Sequence, residues 1–576
     1  MKQTYLLALS ISMGLASLAA AQPPAPPLFT WSTVVNNSDL MPGAPPGRTF
    51  NSYNQPSVNV NGMVVIRARS RGGDLLGEPT HGIYLRNMGM AGSPIVRILD
   101  RTTEVPQPNN AHYPPTNLLL TTFVETPSFP RIDMWSETIA TRGNHQPVWV
   151  YALPDGSETR VGTTGIYTNP FGPLIAGAAK LGSVPGLELF AVPGIEPPTL
   201  FDVFPGAPAV TGGATLVFKG NYTVENIGRT GVFYRVLDPQ PIILPDGTEL
   251  APAGGSSPVV LIGNNTDTLI PGTGAVFGST APPSAANGLA VFAGFDNELA
   301  PTLGGIYLAP LAPQPPLTTL VSIGEKVPGE SVKSTFTGLG EGVAFDGRYV
   351  GFWGAWGPET RTVRLFCPTE GNKDRIDYCN RRLVCADTGE TLGDPESVCN
   401  DVSDPNFGIR CYQEKQVPVH QGIFVHDTLG GATRTVAKTK ARFDDFLFWS
   451  YSGKTPCVGS GHSMEGAEDD GEAARWRSSS FVAVSGLYVV FKAVSGEVVG
   501  IYLNRQPGQD LVTLLDTQTD GQALDPAAPL GSTITELGIE REGLRGDWLA
   551  VSAKMGIEGG TEEEGMAGIY VTRLPR

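Results

Sequence analysis

The tripeptide Gly-Ile-Tyr occurs five times in this chain of 576 residues, and the close variants Gly-Val-Phe and Gly-Ile-Phe each occur once. Each copy opens an apolar run whose residues alternate as in a β-strand, for example "GIYLRN" and "GIFVHD". The glycines of the seven copies are Gly82, Gly165, Gly231, Gly305, Gly422, Gly500 and Gly568. Such regular self-similarity is typical of a repeat architecture.

Two further features recur upstream of most copies. One is an apolar strand introduced by glycine, as in "NGMVVIRAR", "NGLAVFAG" and "SGLYVVFKA"; in the second unit the match is weak, and "SETIATRG" fits best. The other is a Thr/Val/Leu-rich run such as "TTLVSIGEKVPG". The predicted unit therefore has a Thr/Val-rich strand, a Pro-Gly turn, an irregular strand, a Gly-led strand and a final Gly-Ile-Tyr strand.

Seven such units predict an all-β fold, a β-propeller of seven four-stranded blades. Four antiparallel strands cannot close a core alone, whereas radial stacking of blades buries their faces and leaves few open edges. We expect the glycine to allow a tight turn and the Ile and the aromatic residue to pack between blades. Six or eight blades, or two β-sandwiches, remain alternatives, and the opening strand "FTWSTVV" is free to pair with the last blade. The predicted blades cover residues 30–92, 93–172, 173–238, 239–312, 313–428, 429–505 and 506–576.

The first unit also carries a family resemblance. The segment "PSVNVNGMVVIRA" resembles the N-x-x-G-x-x-A-F tandem repeat of secreted bacterial propeller-like proteins, through Asn59, Gly62, Val65 and Ile66. In the fourth unit the second half of the motif is matched by Gly288, Val291 and Phe292. Units 3, 5, 6 and 7 depart from it by one extra residue before the last apolar position. The resemblance implies the architecture and no particular activity.

The N-terminus indicates export. Residues 1–21 combine Lys2, a short apolar stretch and an A-x-A cleavage site ending at Ala21, which is the pattern of a secretory signal peptide. Residues 22–29 form a Pro-rich linker, and the chain ends without an apolar tail that would anchor it in a membrane. We expect a secreted or periplasmic monomer. The net charge of −16 argues against a nucleic-acid partner.

One unit is interrupted by a cysteine-rich insertion, predicted at residues 366–412 within blade 5. The six cysteines of the chain fall in this region and in the loop after it: Cys367, Cys379, Cys385, Cys399, Cys411 and Cys457. An even number in an exported chain predicts three disulfides, with 15 possible connectivities. Because Cys457 lies beyond the next Gly-Ile-Phe strand, at least one disulfide should cross from blade 5 to the blade 6 loop. The spacings contain no C-x-x-C pair, which argues against zinc.

One segment carries a partial calcium motif, and we expect no other cofactor. The stretch "DTQTDGQALD" places Asp516 and Asp520 as in an EF-hand-like loop, with Asp525 as a third oxygen ligand. The bidentate glutamate that completes such a loop is missing, because Ala527 stands in its place. A plain turn between strands is the alternative.

These features predict a binding protein that recognises a surface glycan or a protein partner through one loop-rich face, because loops on a rigid scaffold carry function. The alternative is an extracellular polysaccharide lyase or hydrolase with its site at the mouth of the propeller channel. A candidate trio for that chemistry is His112, Tyr113 and Arg131. A channel mouth lined by His, Tyr and Arg would favour the enzyme, and a mouth of aromatic and amide side chains would favour binding.

Overall fold

The structure, a computed structural model, describes residues 29–72, 79–110, 121–146, 149–152, 158–161, 163–369, 371–386, 388–399, 410–457, 473–557, 559 and 565–575. These residues form seven antiparallel sheets arranged as a β-propeller, which confirms the predicted fold class. Each blade has four strands, and in five blades the inner strand consists of two short segments. The predicted signal peptide lies outside the described residues.

In blades 1 to 4 the strands follow one another in chain order from the inner to the outer position. Blade 1 consists of Phe50–Tyr53 with Ser57–Val58, Met63–Ser70, His81–Asn87 and Val96–Asp100. Blade 2 consists of Phe123–Glu125 with Arg131–Ile132, Ile139–His145, Thr164–Thr168 and Ile175–Ala179. Blade 3 consists of Ala209–Thr211, Thr215–Val224, Ile227–Val236 and Val260–Asn264. Blade 4 consists of Ser279–Thr280 with Ser284–Ala286, Leu289–Phe295, Gly304–Pro310 and Thr318–Ser322.

Blades 5 and 6 follow the same order, and blade 7 takes its outer strand from the start of the chain. Blade 5 consists of Phe336–Leu339 with Ala344–Phe345, Tyr349–Phe366, Tyr412–Asp427 and Ala432–Lys438. Blade 6 consists of Val482–Ser485, Tyr488–Ser495, Val498–Asn504 and Val512–Asp516. Blade 7 consists of Thr533–Gly538 with Leu544–Arg545, Trp548–Gly556, Met566–Arg573 and Ser32–Asn36.

The remaining elements are short and lie in connections between strands. Four two-stranded sheets pair Trp149–Ala152 with Glu158–Val161, Ile242–Ile243 with Glu249–Leu250, Leu383–Val384 with Thr391–Leu392, and Phe448–Ser452 with Arg475–Ser479. The helices of the described chain are the 3-10 helix Glu188–Phe190 and the α-helices Lys373–Cys379 and Gly521–Leu524.

The inner strands close into a ring, because each contacts the inner strand of the next blade and blade 7 contacts blade 1. The N-terminal strand Ser32–Asn36 supplies the outer strand of blade 7, where it pairs with Met566–Arg573. This closure corrects the predicted blade bounds. Since the first strand of the chain completes the last blade, the strand after each Gly-Ile-Tyr copy belongs to the same blade, and every boundary lies one strand later than predicted.

The seven motif glycines occupy one equivalent position, opposite a Gly or Ala of the second strand in every blade. Their role differs from the expected tight turn. A Cβ at Gly82 would lie 2.3 Å from the carbonyl oxygen of Leu99, and one at Gly305 would lie 2.1 Å from that of Val321, both on the outer strand. The missing side chain therefore allows the outer strand to approach closely at its bulge.

The aromatic residue of the motif explains a second recurrent feature. In five blades a phenylalanine in the inner strand or shortly before it packs edge-on against the aromatic residue of the motif, as Phe50 does on Tyr84 at 5.0 Å and Phe123 on Tyr167 at 4.7 Å. In blade 6 this place is taken by Phe443, which precedes the hairpin Phe448–Ser452 and Arg475–Ser479. The other four pairs are Phe201–Phe233, Phe277–Tyr307, Phe336–Phe424 and Phe443–Tyr502. Edge-to-face pairs add stabilisation beyond the area they bury. The core of the propeller therefore lies between blades.

The two ends of the propeller differ. We call the end where second strands connect to third strands the insertion face, because the connection at residues 367–411 of blade 5 emerges there. The opposite end, where inner strands turn into second strands, is the turn face. Outer strands also connect to the next blade at the insertion face, so the longest connections gather at one end.

Candidate functional site

Five charged residues fill the propeller axis, and we call them the axial cluster: Arg131, Glu540, Arg541, Glu542 and Arg545. Arg131 Nη2 lies 2.6 Å from Glu540 Oε1, and Arg131 Nη1 lies 3.9 Å from Glu542 Oε1. Arg545 Nη2 lies 3.7 Å from the same Glu542 oxygen. Residues far apart in the chain thus meet as ion pairs on the axis of the molecule.

The axial cluster also joins blades that are not neighbours. Arg541 of blade 7 donates a hydrogen bond of 2.9 Å to the carbonyl of Pro282 in blade 4. Burial lowers the pKa of Arg541 to about 10. Burial alone would raise the pKa of Glu540, but Arg131 and Arg541 outweigh it and hold this pKa below its usual value. Glu540 and Arg541 therefore stay ionised at neutral pH, and the paired charges of the cluster are chiefly structural.

At the turn face the axis is covered by the turn at residues 133–138 of blade 2. The carbonyl of Met134 accepts a hydrogen bond from Val60 of blade 1. The Met134 side chain packs against the apolar cluster shared by blades 4 and 5. A turn that touches these blades at once lies across the axis, so a ligand cannot enter the channel from this end.

The insertion is held by three disulfides, as predicted: Cys367–Cys379, Cys385–Cys457 and Cys399–Cys411. The predicted cross-tie is Cys385–Cys457, which joins the insertion of blade 5 to the loop of the hairpin Phe448–Ser452 and Arg475–Ser479. Tyr451 on this hairpin donates a hydrogen bond of 2.6 Å to Asp394 of the insertion. The two segments therefore form one unit on the insertion face, and three disulfides indicate an oxidising compartment.

Beyond blade 5 the two long strands continue as a ribbon, residues 360–366 paired with residues 412–418. One side of the ribbon faces blade 6 and the insertion: Val417 is fully buried, and Arg361 pairs with Asp445. The other side, which we call the exposed strip, consists of Thr360, Thr362, Arg364, Phe366, Tyr412, Glu414, Gln416 and Pro418. Within it Tyr412 is buried, and Phe366 and Pro418 are half-buried. The ribbon thus presents one continuous row of side chains on the insertion face.

The exposed strip is built from amide, hydroxyl and paired charged groups. Gln416 Nε2 donates to Thr362 Oγ1 at 2.8 Å, and Thr360 Oγ1 donates to Gln416 Oε1 at 3.1 Å. Arg364 Nη2 lies 3.2 Å from Glu414 Oε1. The four residues Thr360, Thr362, Arg364 and Gln416 are exposed. Each polar side chain is already oriented by a neighbour, so the strip is rigid before any ligand binds.

The exposed strip ends at the propeller body in a second polar group. His420 stacks on Trp356 with ring centroids 6.0 Å apart. Its Nε2 lies 3.3 Å from Glu359 Oε2, and Lys440 Nζ lies 3.4 Å from the same oxygen. This group extends the strip along the strand to His420, eight residues from Tyr412, which is about 26 Å at the rise of a β-strand.

The predicted calcium ligands are not brought together. Among the described residues no group of three or more His, Cys, Asp or Glu side chains is placed to hold a metal ion. Asp516 accepts from the Thr519 hydroxyl at 2.8 Å, and Asp520 caps the helix Gly521–Leu524. Asp525 is buried and accepts hydrogen bonds from Asn36 at 2.8 Å and from Tyr570 at 3.1 Å. Its carboxylate fastens the closing N-terminal strand to blade 7.

The candidate acid–base residues do not form an accessible trio. Arg131 belongs to the axial cluster and is 1% exposed, and His112 and Tyr113 lie outside the described residues. Burial lowers the pKa of His145 to about 4. Burial, assisted by nearby arginines, lowers that of His81 to about 4 as well. His145 packs edge-on against Phe123, which is the environment of a core residue.

The sequence did not predict the axial cluster or the exposed strip, although the Thr/Arg alternation of "TRTVRLF" indicates a half-exposed strand.

Among the described residues no helix is long and apolar enough to cross a membrane.

The similarity of this chain to known proteins is confined to distant matches among solved structures. No family model matches the sequence, and no curated protein matches it. The polysaccharide lyase Uly1 is similar in structure at 10% identity, over 94% of this chain and 98% of that one, with a TM-score of 0.37. The periplasmic gluconolactonase PpgL of Pseudomonas aeruginosa aligns at 12% identity over 81% of this chain and 95% of its own, with a TM-score of 0.24. Scores this low carry no argument about activity, which rests on the site alone.

Proposed function

We propose that this protein is an exported glycan-binding propeller, whose ligand lies along the exposed strip of the ribbon on the insertion face. The observation that carries this proposal is the row of mutually oriented amide, hydroxyl and paired charged groups between Tyr412 and His420. The cross-tie Cys385–Cys457 fixes the insertion at the far end of that row. The signal peptide ending at Ala21 and secretion or residence in the periplasm belong to the same proposal.

A glycan fits the strip better than a protein partner does. The centres of protein interfaces are enriched in aromatic residues and depleted in charged ones, whereas the exposed part of this strip is polar. Its two aromatic rings are covered by cations, with Arg364 4.3 Å above Tyr412 and Arg410 4.8 Å above Phe366. Hydroxyl-rich chains match such a surface, because amides and hydroxyls both donate and accept.

The alternative of a lyase or hydrolase at the channel mouth has weaker support. Such an enzyme needs an accessible acid or base near bound substrate. Arg131 is instead buried in ion pairs on the axis, and His145 packs in the core. A glycan array combined with assays for reducing ends and unsaturated products separates the two functions, because a binding protein gives array signal without product.

The test of binding uses the mature chain and two variants. We expect Thr362→Ala combined with Gln416→Ala to weaken array binding at least tenfold, since both groups lie in the centre of the strip. The control is Gln518→Ala, which removes an exposed amide on a different blade and should leave binding unchanged. Equal binding by the strip variant and the control would show that the ligand lies elsewhere.

A further inference from the structure

The turn face carries one feature that departs from the repeat. Between the inner and second strands, the turns of the other six blades have two to four residues, as in Asn287 and Gly288 of blade 4. In blade 2 the turn has six residues, 133–138, between Ile132 and Ile139. A strand hairpin needs only two residues to turn. The extra length therefore serves something other than chain reversal.

The long turn is rigid because hydrogen bonds hold it from inside and from both neighbouring blades. Asp133 Oδ2 accepts from the backbone N–H of Trp135 at 3.1 Å and of Ser136 at 2.8 Å. Asn59 of blade 1 donates to the Ser136 carbonyl at 2.9 Å. Thr138 donates to the carbonyl of Gly213 in blade 3 at 2.8 Å. Its conformation is thus fixed without a ligand.

This rigid turn holds a tryptophan in solvent. Trp135 is 61% exposed, although Met134 beside it packs onto the core. The indole Nε1 donates to Asn287 Oδ1 at 3.2 Å, which orients the ring beside the amide. A Cβ at Gly347 would lie 2.2 Å from the Asn287 amide nitrogen, so the glycine makes room for that amide. An indole kept exposed by several hydrogen bonds is a preorganised contact rather than an accident of a mobile loop.

We propose that Trp135 and the Asn287 amide form a second binding site, at the centre of the turn face, for one pyranose ring of a neutral saccharide. One face of a pyranose presents C–H groups that pack on an indole, and its hydroxyls match an amide that donates and accepts. The turns of blades 4 and 5 beside the indole offer Asn287, Gly288, Gly347 and Arg348, so the apolar contact there is a single ring. A protein interface of standard size buries far more than that.

Saccharide binding at this site does not depend on the exposed strip, so an experiment can refute either proposed site without refuting the other. Saturation-transfer NMR with a panel of free neutral pyranoses, observed on the whole mature protein, should show transfer to ring C–H protons. Trp135→Ala should reduce this transfer at least tenfold, and Trp135→Phe should retain part of it. Asn287→Gly keeps the left-handed backbone at φ 52° and removes the amide, so affinity should fall severalfold.

Leu487→Ala is the control, because it removes another exposed apolar side chain from the same face and should change nothing. Undiminished transfer from Trp135→Ala to the sugar protons, or no transfer from the wild-type protein to any pyranose, overturns the proposal. Binding of tetramethylammonium in place of sugars also overturns it, because the indole would then be a cation site.

Discussion

Removing the cross-tie between Cys385 and Cys457 should release the insertion while leaving the blades folded. The double variant Cys385→Ser with Cys457→Ser deletes the one disulfide that links two different connections. The hydrophobic core of the insertion is small, because its buried cluster consists of Cys367, Cys379 and Cys411 with Tyr451 and Ala474. The blades rest instead on apolar packing between sheets, to which the disulfides contribute nothing.

The magnitude follows from the sequence separation of the paired cysteines. Closing a loop of 72 residues stabilises the linked state by about 4 kcal/mol in the chain-entropy account, and a loop of 12 residues by about 3 kcal/mol. The folded strands Tyr412–Asp427 and Ala432–Lys438 lie within the long loop and already shorten it, so 4 kcal/mol is the upper end. Amide exchange in the insertion should accelerate about a hundredfold to a thousandfold.

Hydrogen exchange followed by mass spectrometry measures this acceleration of amide exchange in each peptide separately. Peptides from residues 371–386 should lose protection, whereas peptides from blades 1 to 4 should exchange as in the wild type. The matched control is Cys367→Ser with Cys379→Ser, which removes a 12-residue loop within the insertion and should have the smaller effect. An equal loss of protection in all blades would refute the reasoning, because it would mean that the disulfide Cys385–Cys457 stabilises the propeller itself.

Three further outcomes are expected. Gly305→Ala should lower the free energy of unfolding, measured by urea denaturation, by about 3 kcal/mol, because its Cβ would meet a backbone oxygen at 2.1 Å. Gly228→Ala is the control and should be neutral, because nothing lies within 4 Å of its Cβ. Equal stabilities of the two variants would contradict the role assigned to Gly305. The free energy of unfolding should be constant above pH 6.5 and fall as the pH drops towards 4, because His145 is neutral in the folded state while the unfolded chain takes up the proton. His145→Gln should reduce that fall. The same pH profile in the variant and the wild type would contradict the burial of His145. Millimolar calcium should leave the melting temperature unchanged, since the carboxylates of Asp516, Asp520 and Asp525 already accept hydrogen bonds within the protein; a rise would restore the metal site.

The repeat was readable because it is local in sequence. Gly-Ile-Tyr marks one strand position in every blade, so seven blades and their third strands were predictable from spacing alone. The chemical reason for the glycine was not, because the carbonyl it approaches, such as Val321 O for Gly305, lies on a strand reached only after folding. The blade bounds were wrong by one strand for a similar reason. The local pattern left open whether the opening strand pairs with the last blade, and the structure shows that Ser32–Asn36 does so.

The axial cluster and the candidate site residues were harder to predict, because they depart from the repeat or join distant positions. The axial pair Arg131 and Glu540 is separated by 409 residues, and no spacing rule brings such residues together. Blade 2 did leave a signal. Its Gly-led strand matched poorly because the short glycine turn of the other blades is replaced by the longer turn that carries Trp135. A degenerate repeat unit was therefore a mark of specialisation rather than only a weak match.

A propeller whose axis is filled cannot pass a ligand through its centre, so the two binding sites proposed above lie on what the repeat adds to its ends. The axial cluster occupies the axis, and the blade 2 turn covers one end of it. Two additions to the repeat carry the sites proposed above, the stapled insertion of blade 5 and the six-residue turn of blade 2. Each is held by contacts to a neighbouring blade, through Cys457 in one case and Asn59 in the other. Rigid additions on a repetitive scaffold are the places where contact with a partner is selected, since the repeat alone already satisfies folding.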